Sequence, residues 1–205
     1  MSAYKTVNPA TGETLREFAE ATDAEVAAAI TAAASAFSTW RTEPLENRST
    51  VISRVAELYR ERSDALAELI ATEMGKPVRE AANEVALSAA IYDYYATAGP
   101  GFMADEELNV RGGGSAVVHT EPIGPILGIM PWNYPYYQVA RFAGPNLLLG
   151  NTILLKHANN CPQSALAMEQ ILSTPDCRRT PTSTCSPPMT RLPTSLPIPA
   201  SREFH

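Results

Sequence analysis

Apolar positions in the first hundred residues recur at helical spacing. Val26, Ile30, Ala33 and Phe37 fall on one face of an Ala-rich run that ends near Trp40. Thr22 and Glu25 open this run as a capping box: the Thr22 hydroxyl accepts from the third helical N–H, and the Glu25 carboxylate reaches back to the Thr22 N–H. A second helix begins near Pro44, with Val51, Ile52, Val55, Leu58 and Tyr59 as its stripe. A third stretch runs from Ser63-Asp64 through Leu66, Leu69 and Ile70 and stops at Gly75-Lys76-Pro77. Residues 78–98 read as a further helix, ended by Gly99-Pro100-Gly101. Ahead of all of these, Asn8-Pro9-Ala10-Thr11-Gly12 marks a turn between two short strands.

The period then changes. Residues 115–121 read as a strand, Ile126–Met130 as a shorter and wholly apolar one, and Thr152–Leu155 as another. Between the last two, Tyr136–Leu149 is long enough for a helix. Apolar strands joined by a helix form the βαβ unit of a parallel sheet. Such a sheet binds ligands beyond the carboxyl ends of its strands. Cys161-Pro162 opens a last helix, Gln163–Leu172. The fold class is therefore α/β, with N-terminal helices followed by an incomplete parallel, Rossmann-like sheet. The run Gly112-Gly113-Gly114 precedes a strand, so it reads as a hairpin turn rather than a phosphate loop. No G-x-G-x-x-G fingerprint is present.

Composition divides the chain. Residues 173–205 hold 7 of the 17 prolines and show neither helical nor strand periodicity. Proline at that density removes backbone donors and forbids continued helix, so this tail is expected to be disordered, after a folded body over 1–172. Hydrophobic residues make up 45% and charged residues 19%, with a net charge of −6, which suits a soluble protein. Acidic residues outnumber basic ones and no basic run is interleaved with aromatics, so nucleic acid is not an expected partner. No apolar run approaches the roughly 18 residues of a membrane span. The N-terminus lacks the apolar core of a signal peptide, so a cytoplasmic location is expected. Cys161, Cys177 and Cys185 are too few and too clustered for a disulfide framework, and no metal site is read.

Four side chains could carry chemistry. Asn133 stands between Pro131-Trp132 and Tyr134-Pro135, just past the first apolar strand. It reads either as the N-cap of the following helix or as a preorganised amide donor to an oxyanion. Lys156 ends the second strand at the ligand edge, where its ammonium meets either solvent or a ribose or phosphate. Arg141, two helical turns beyond Asn133, suits a carboxylate as a bidentate fork, or else an ordinary surface contact. Cys161 has only His157 nearby and no third group to orient it, so it reads as a helix-start residue rather than a nucleophile.

The string from Pro131 to Ala165, PWNYPYYQVARFAGPNLLLGNTILLKHANNCPQSA, resembles the N-terminal half of the NAD(P)-dependent aldehyde dehydrogenase superfamily. Within that superfamily it is most similar to the succinate-semialdehyde dehydrogenase group. Val7-Asn-Pro-Ala-Thr-Gly12 and the run Arg48–Pro77, with Glu73-Met-Gly-Lys-Pro77, fit as well, so the resemblance covers 4–172. It implies that Asn133 is the side-chain donor of the oxyanion hole. Met130, Pro131 and Trp132 would border the nicotinamide and its ribose, and Lys156 would meet the adenosine ribose. Asn159 stands where NAD-preferring members carry an acidic residue, so either NAD or NADP is admitted. Arg141 would bind the distal carboxylate of a semialdehyde, the small-molecule substrate of the intact parent. Residues 110–121 would belong to the β-arm of oligomerisation, leaving association with another copy or a full-length homologue open. The family's general-base glutamate and nucleophilic cysteine would lie beyond residue 205, so no turnover is expected of this chain alone. Its Pro-, Arg-, Ser- and Thr-rich tail resembles out-of-frame reading of GC-rich DNA from about Leu172 or Ser173. Translating the other two frames of the nucleotide sequence tests that expectation.

Overall fold

The wholly apolar strand near residue 153 is apolar because helices cover both of its faces. In the computed structural model, which describes residues 4–173, the elements run β1 (Tyr4–Val7), β2 (Thr14–Phe18), α1 (Asp23–Trp40), α2 (Leu45–Glu61), α3 (Ser63–Met74), α4 (Val78–Phe102), β3 (Glu106–Leu108), β4 (Ala116–Val118), β5 (Pro125–Ile129), α5 (Pro135–Leu149), β6 (Thr152–Lys156) and α6 (Pro162–Leu172). β5 and β6 pair in parallel, from Pro125 opposite Thr152 to Ile129 opposite Lys156. Successive β6 side chains point to opposite layers. Ile153 and Leu155 enter the main core with Tyr136, Val139 and Met168 from α5 and α6. Leu154 instead meets Val26 and Ala33 of α1, and the Thr152 hydroxyl donates to the Ala33 carbonyl at 3.0 Å. The result is a helix–sheet–helix sandwich.

The helical half builds the rest of the core. The stripe Val51, Ile52, Val55, Leu58 and Tyr59 is buried as a unit, packed with Ala81, Val85, Ala89 and Tyr92 of α4. Thr22 forms the capping box with Glu25 as read from the sequence. α3 ends where Gly75 adopts a left-handed φ of 76°, which glycine takes without steric cost. Two long-range bonds fasten the C-terminus of α5: the Trp40 indole N–H donates to the Leu147 carbonyl at 2.9 Å, and Arg48 donates to the Leu149 carbonyl at 3.2 Å. The Leu149 carbonyl is one that a helix end leaves without an internal partner, whereas the Leu147 carbonyl also accepts the Gly150 N–H at 3.1 Å.

The structure departs from the sequence reading at four places. α4 does not stop at residue 98 but runs through Gly99-Pro100-Gly101 to Phe102. Gly99 is buried where an added Cβ would run into the Leu148 side chain, so its missing side chain serves close approach to α5 rather than helix termination. Second, the strand expected over 115–121 is only Ala116–Val118, and it pairs antiparallel with β3, which sequence periodicity did not indicate. Such short, exposed strands carry too few residues for a clear alternation. The triple glycine does form the hairpin connection between them, with all three φ values positive. Third, Pro44 is the residue before the second helix rather than in its first turn. Fourth, the N-cap of α5 is Tyr134, without a side-chain cap bond, so the capping alternative for Asn133 is not realised. The expected tail disorder, together with Cys177 and Cys185, lies outside the described residues.

Candidate functional site at the carboxyl edge of the parallel strands

The β5–β6 ladder delivers two loops to one edge. Ile129 lies opposite Lys156, and the Met130 N–H donates to the Lys156 carbonyl at 2.9 Å, extending the pairing by one residue. Pro131, Trp132 and Asn133 then stand exposed. Among the described residues the Asn133 side chain has no hydrogen-bond partner. On the neighbouring loop the Lys156 ammonium donates to Asn159 Oδ1 at 3.3 Å. Partial burial holds the Lys156 pKa below the usual lysine value. Met130, Pro131, Trp132 and Asn133 follow β5, while Lys156 ends β6 and Asn159 lies in the loop after it, so the two adjoining strand ends contribute them all.

Two polar residues lie under these loops, and for Cys161 the structure agrees with its reading as a helix-start residue. His157 is buried; its Nδ1 accepts the Ala158 N–H at 2.8 Å. Its Nε2 lies 3.1 Å from the Pro135 carbonyl, which can only accept, so Nε2 carries the proton. Desolvation drives its pKa down to about 4, leaving the ring neutral. This imidazole ties the end of β6 to the start of α5. Cys161 is fully buried, its thiol 3.8 Å from the Trp132 carbonyl. Burial, then the nearby Glu73 and Glu84 charges, push its pKa up to about 12, so the thiol stays protonated and inert.

A second set of groups grips the Asn133 loop from below. Lys76, in the turn between α3 and α4, forms an ion pair with Glu84 of α4, with side chains 9% and 1% exposed. The Lys76 ammonium also donates to the Asn133 carbonyl at 3.0 Å and lies 3.8 Å from the centre of the Tyr134 ring. Glu84 Oε1 accepts the Tyr136 N–H at 3.0 Å and the Tyr137 N–H at 3.3 Å. Glu73 does the same for α6: it accepts from the Gln163 and Ser164 N–H groups, both at 2.8 Å, and from the Thr6 hydroxyl at 2.7 Å. Burial raises the Glu73 pKa against these hydrogen bonds. The sequence does carry a signal for both acids. Each falls in the apolar register of its helix, Glu73 with Leu66 and Ile70, and Glu84 with Ala81, Ser88 and Tyr92.

Arg141 lies on α5, beyond the strand-end residues. It borders an open recess of about 400 Å³ with Leu87, Ile91, Tyr94, Tyr95 and Tyr137. Its guanidinium sits 5.3 Å from the Tyr137 ring centre, and Tyr137 packs edge-on against Tyr134 at 5.7 Å. An aromatic relay thus joins the Arg141 recess to the Asn133 loop. Among the described residues no group of three or more His, Cys, Asp or Glu could hold a metal ion. None of the described helices is long and apolar enough to cross a membrane.

Comparison with known proteins gives one answer. The succinate-semialdehyde dehydrogenase [NADP(+)] of Deinococcus radiodurans is 52% identical over 168 residues, which is 82% of this chain and 35% of that protein. A probable succinate-semialdehyde dehydrogenase [NADP(+)] of Synechocystis is 39% identical, over 84% of this chain and 38% of its own length. Among solved structures, the succinic semialdehyde dehydrogenase of Streptococcus pyogenes, in complex with NADP+ as cofactor, superposes with a TM-score of 0.80 at 38% identity. It covers 82% of this chain and 37% of that one. The chain thus spans little more than a third of the length of these relatives. The sequence profile of the aldehyde dehydrogenase family matches residues 1–177, and this chain belongs to that family.

Proposed function

We propose that this chain carries the nucleotide-facing and carboxylate-facing parts of an NADP-using semialdehyde dehydrogenase site. The observation that supports the reading best is the shared edge of β5 and β6. There, an amide with no internal partner (Asn133) and a partly desolvated lysine (Lys156) stand at adjacent strand ends. The residues suit a nicotinamide nucleotide: Lys156 pairs with neutral Asn159, so no carboxylate of this pair repels a ribose 2′-phosphate. Lys156 and Asn159 would hold the adenosine ribose, and Met130, Pro131 and Trp132 would line the nicotinamide side. When bound, the nucleotide supplies a hydride acceptor. Asn133 would donate to the substrate carbonyl oxygen as negative charge develops there, a contribution of about 3 kcal/mol for such a donor. Arg141 would take the distal carboxylate of succinate semialdehyde, its guanidinium oriented by the Tyr137 ring.

The chain by itself is proposed not to turn over aldehyde. Cys161 is the free cysteine among the described residues, and its buried, protonated thiol faces the Trp132 carbonyl rather than Asn133. Titration calorimetry with NADP+ and NAD+ tests the nucleotide part: NADP+ binds, more tightly than NAD+, and Lys156→Met weakens it at least tenfold. Equal affinity of wild type and Lys156→Met contradicts the assignment. Incubation with succinate semialdehyde and NADP+ is expected to form no NADPH; sustained formation overturns the inactivity.

A second reading has its own support. Leu108, Val110, Val117, Val118 and Ile123, on and beside the β3–β4 hairpin, are exposed apolar side chains, the kind of surface that marks an interaction site. It is a subunit contact with another copy or with a full-length homologue, and sedimentation of the chain alone and mixed with such a homologue tests it.

A further inference from the structure

We propose that Lys76 and Glu84 are positioning residues that set the Asn133 loop and leave the Asn133 side chain available to a ligand. The inference rests on the reading of Asn133 as an amide donor and goes beyond it by naming what holds that donor. α5 begins with Pro135, which has no N–H, so its first two donors are the Tyr136 and Tyr137 amides. A helix ordinarily satisfies such donors with a side chain at the N-cap or just before it, and Asn is among the best residues for this. Here Glu84 Oε1 takes both amides from a different helix, and Tyr134 caps without a side-chain bond. The cap is supplied from α4, and Asn133 is thereby released from capping.

Lys76 completes the arrangement. Its ammonium pairs with the Glu84 carboxylate, lies over the face of the Tyr134 ring and donates to the Asn133 carbonyl. A buried ion pair gives little net stability, because desolvation offsets the attraction. Its geometric consequence is larger. Apart from their bond to each other, the hydrogen bonds and the ring contact that the Lys76 and Glu84 side chains make outside α4 fall on residues 133–137. A pair serving only to close the α3–α4 turn would not converge on one loop in another layer of the fold.

The test uses the full chain labelled with ¹⁵N and needs neither nucleotide nor aldehyde. Its failure is therefore distinct from a failure of nucleotide binding. The readouts are the Asn133 side-chain NH₂ resonances, assigned by their loss in Asn133→Asp, and hydrogen exchange at the Tyr136 and Tyr137 amides. Lys76→Met should shift or broaden the Asn133 signals. Lys76→Arg, which keeps the charge, should restore them, which a merely structural loss would not. Glu84→Gln should lower protection of the Tyr136 and Tyr137 amides by about tenfold, the expectation for a charge-assisted bond replaced by a neutral one. Unchanged Asn133 signals in Lys76→Met, or equal disturbance in Lys76→Arg, overturn the proposal. If Lys76→Met does not fold, Glu84→Gln decides: shifted Asn133 signals support the proposal and unshifted ones overturn it.

Discussion

Acidification should unfold this chain partly through one neutral imidazole. His157 accepts from the Ala158 N–H and donates to the Pro135 carbonyl, so both ring nitrogens are committed in a site that excludes water. A second proton would fall on Nδ1, which would turn an acceptor into a donor facing the Ala158 N–H. Burial accordingly holds the folded pKa at about 4, against an ordinary value of 6.5. Between those values the unfolded chain binds a proton that the folded chain refuses. The stabilising contribution is therefore complete above about pH 6.5 and is lost as pH falls toward 4. The interval is about 2.5 pH units, and at about 1.4 kcal/mol per unit the loss is about 3 kcal/mol. Glu73 acts in the opposite sense: burial raises its pKa, so its contribution is present below its ordinary value of 4.5 and is lost as pH rises through the folded value. The informative quantity is therefore the difference between wild type and His157→Asn, whose amide oxygen can still accept the Ala158 N–H but does not titrate. Urea unfolding at steps from pH 7.5 to pH 4 should show the variant less stable at pH 7.5. The gap should then narrow by about 3 kcal/mol on acidification. A gap that stays constant, or a His157 NMR titration centred above pH 6, refutes the reasoning.

Other consequences are more local. Glu73→Ala should cost about 3–5 kcal/mol in chemical denaturation, because it strands two buried amide donors at the start of α6, whereas Glu73→Gln keeps an acceptor and should cost clearly less. Gly99→Ala should lower stability by about 1–3 kcal/mol, since Leu148 must move to admit the methyl group; Gly101→Ala meets open space and should be neutral or gain up to about 1 kcal/mol in helix propensity. Thr22→Ala removes the capping box of α1 and should cost about 1 kcal/mol by thermal unfolding.

Local signals were legible in the sequence and distant ones were not. The Thr22–Glu25 box, the α2 stripe and the β5–α5–β6 unit each depend on residues a few positions apart, and each appears where periodicity places it. Gly99-Pro100-Gly101 misleads because its meaning is set by Leu148, nearly fifty residues on. The same holds for the site. The strand-end placement of Asn133 and Lys156 follows from the βαβ pattern. The carboxylate that caps α5 comes from Glu84, 52 residues before Tyr136, and the one that caps α6 lies 90 residues before Gln163. A charged residue in an apolar helical register is the trace they leave. Reading that trace for Glu84 would also have settled Asn133 against capping, because α5 has only two early donors to satisfy and both are taken.

The central claim is that the carboxyl edge of β5 and β6 holds a nicotinamide nucleotide, and amide shift mapping with NADP+ tests it most directly. The account predicts saturable shifts at Met130, Trp132, Asn133, Lys156 and Asn159, with Pro131 silent for want of an N–H, and their disappearance in Lys156→Met. Shifts confined to another surface, such as the small recess beside Arg16 and Gln163, or none at saturating NADP+, would contradict it.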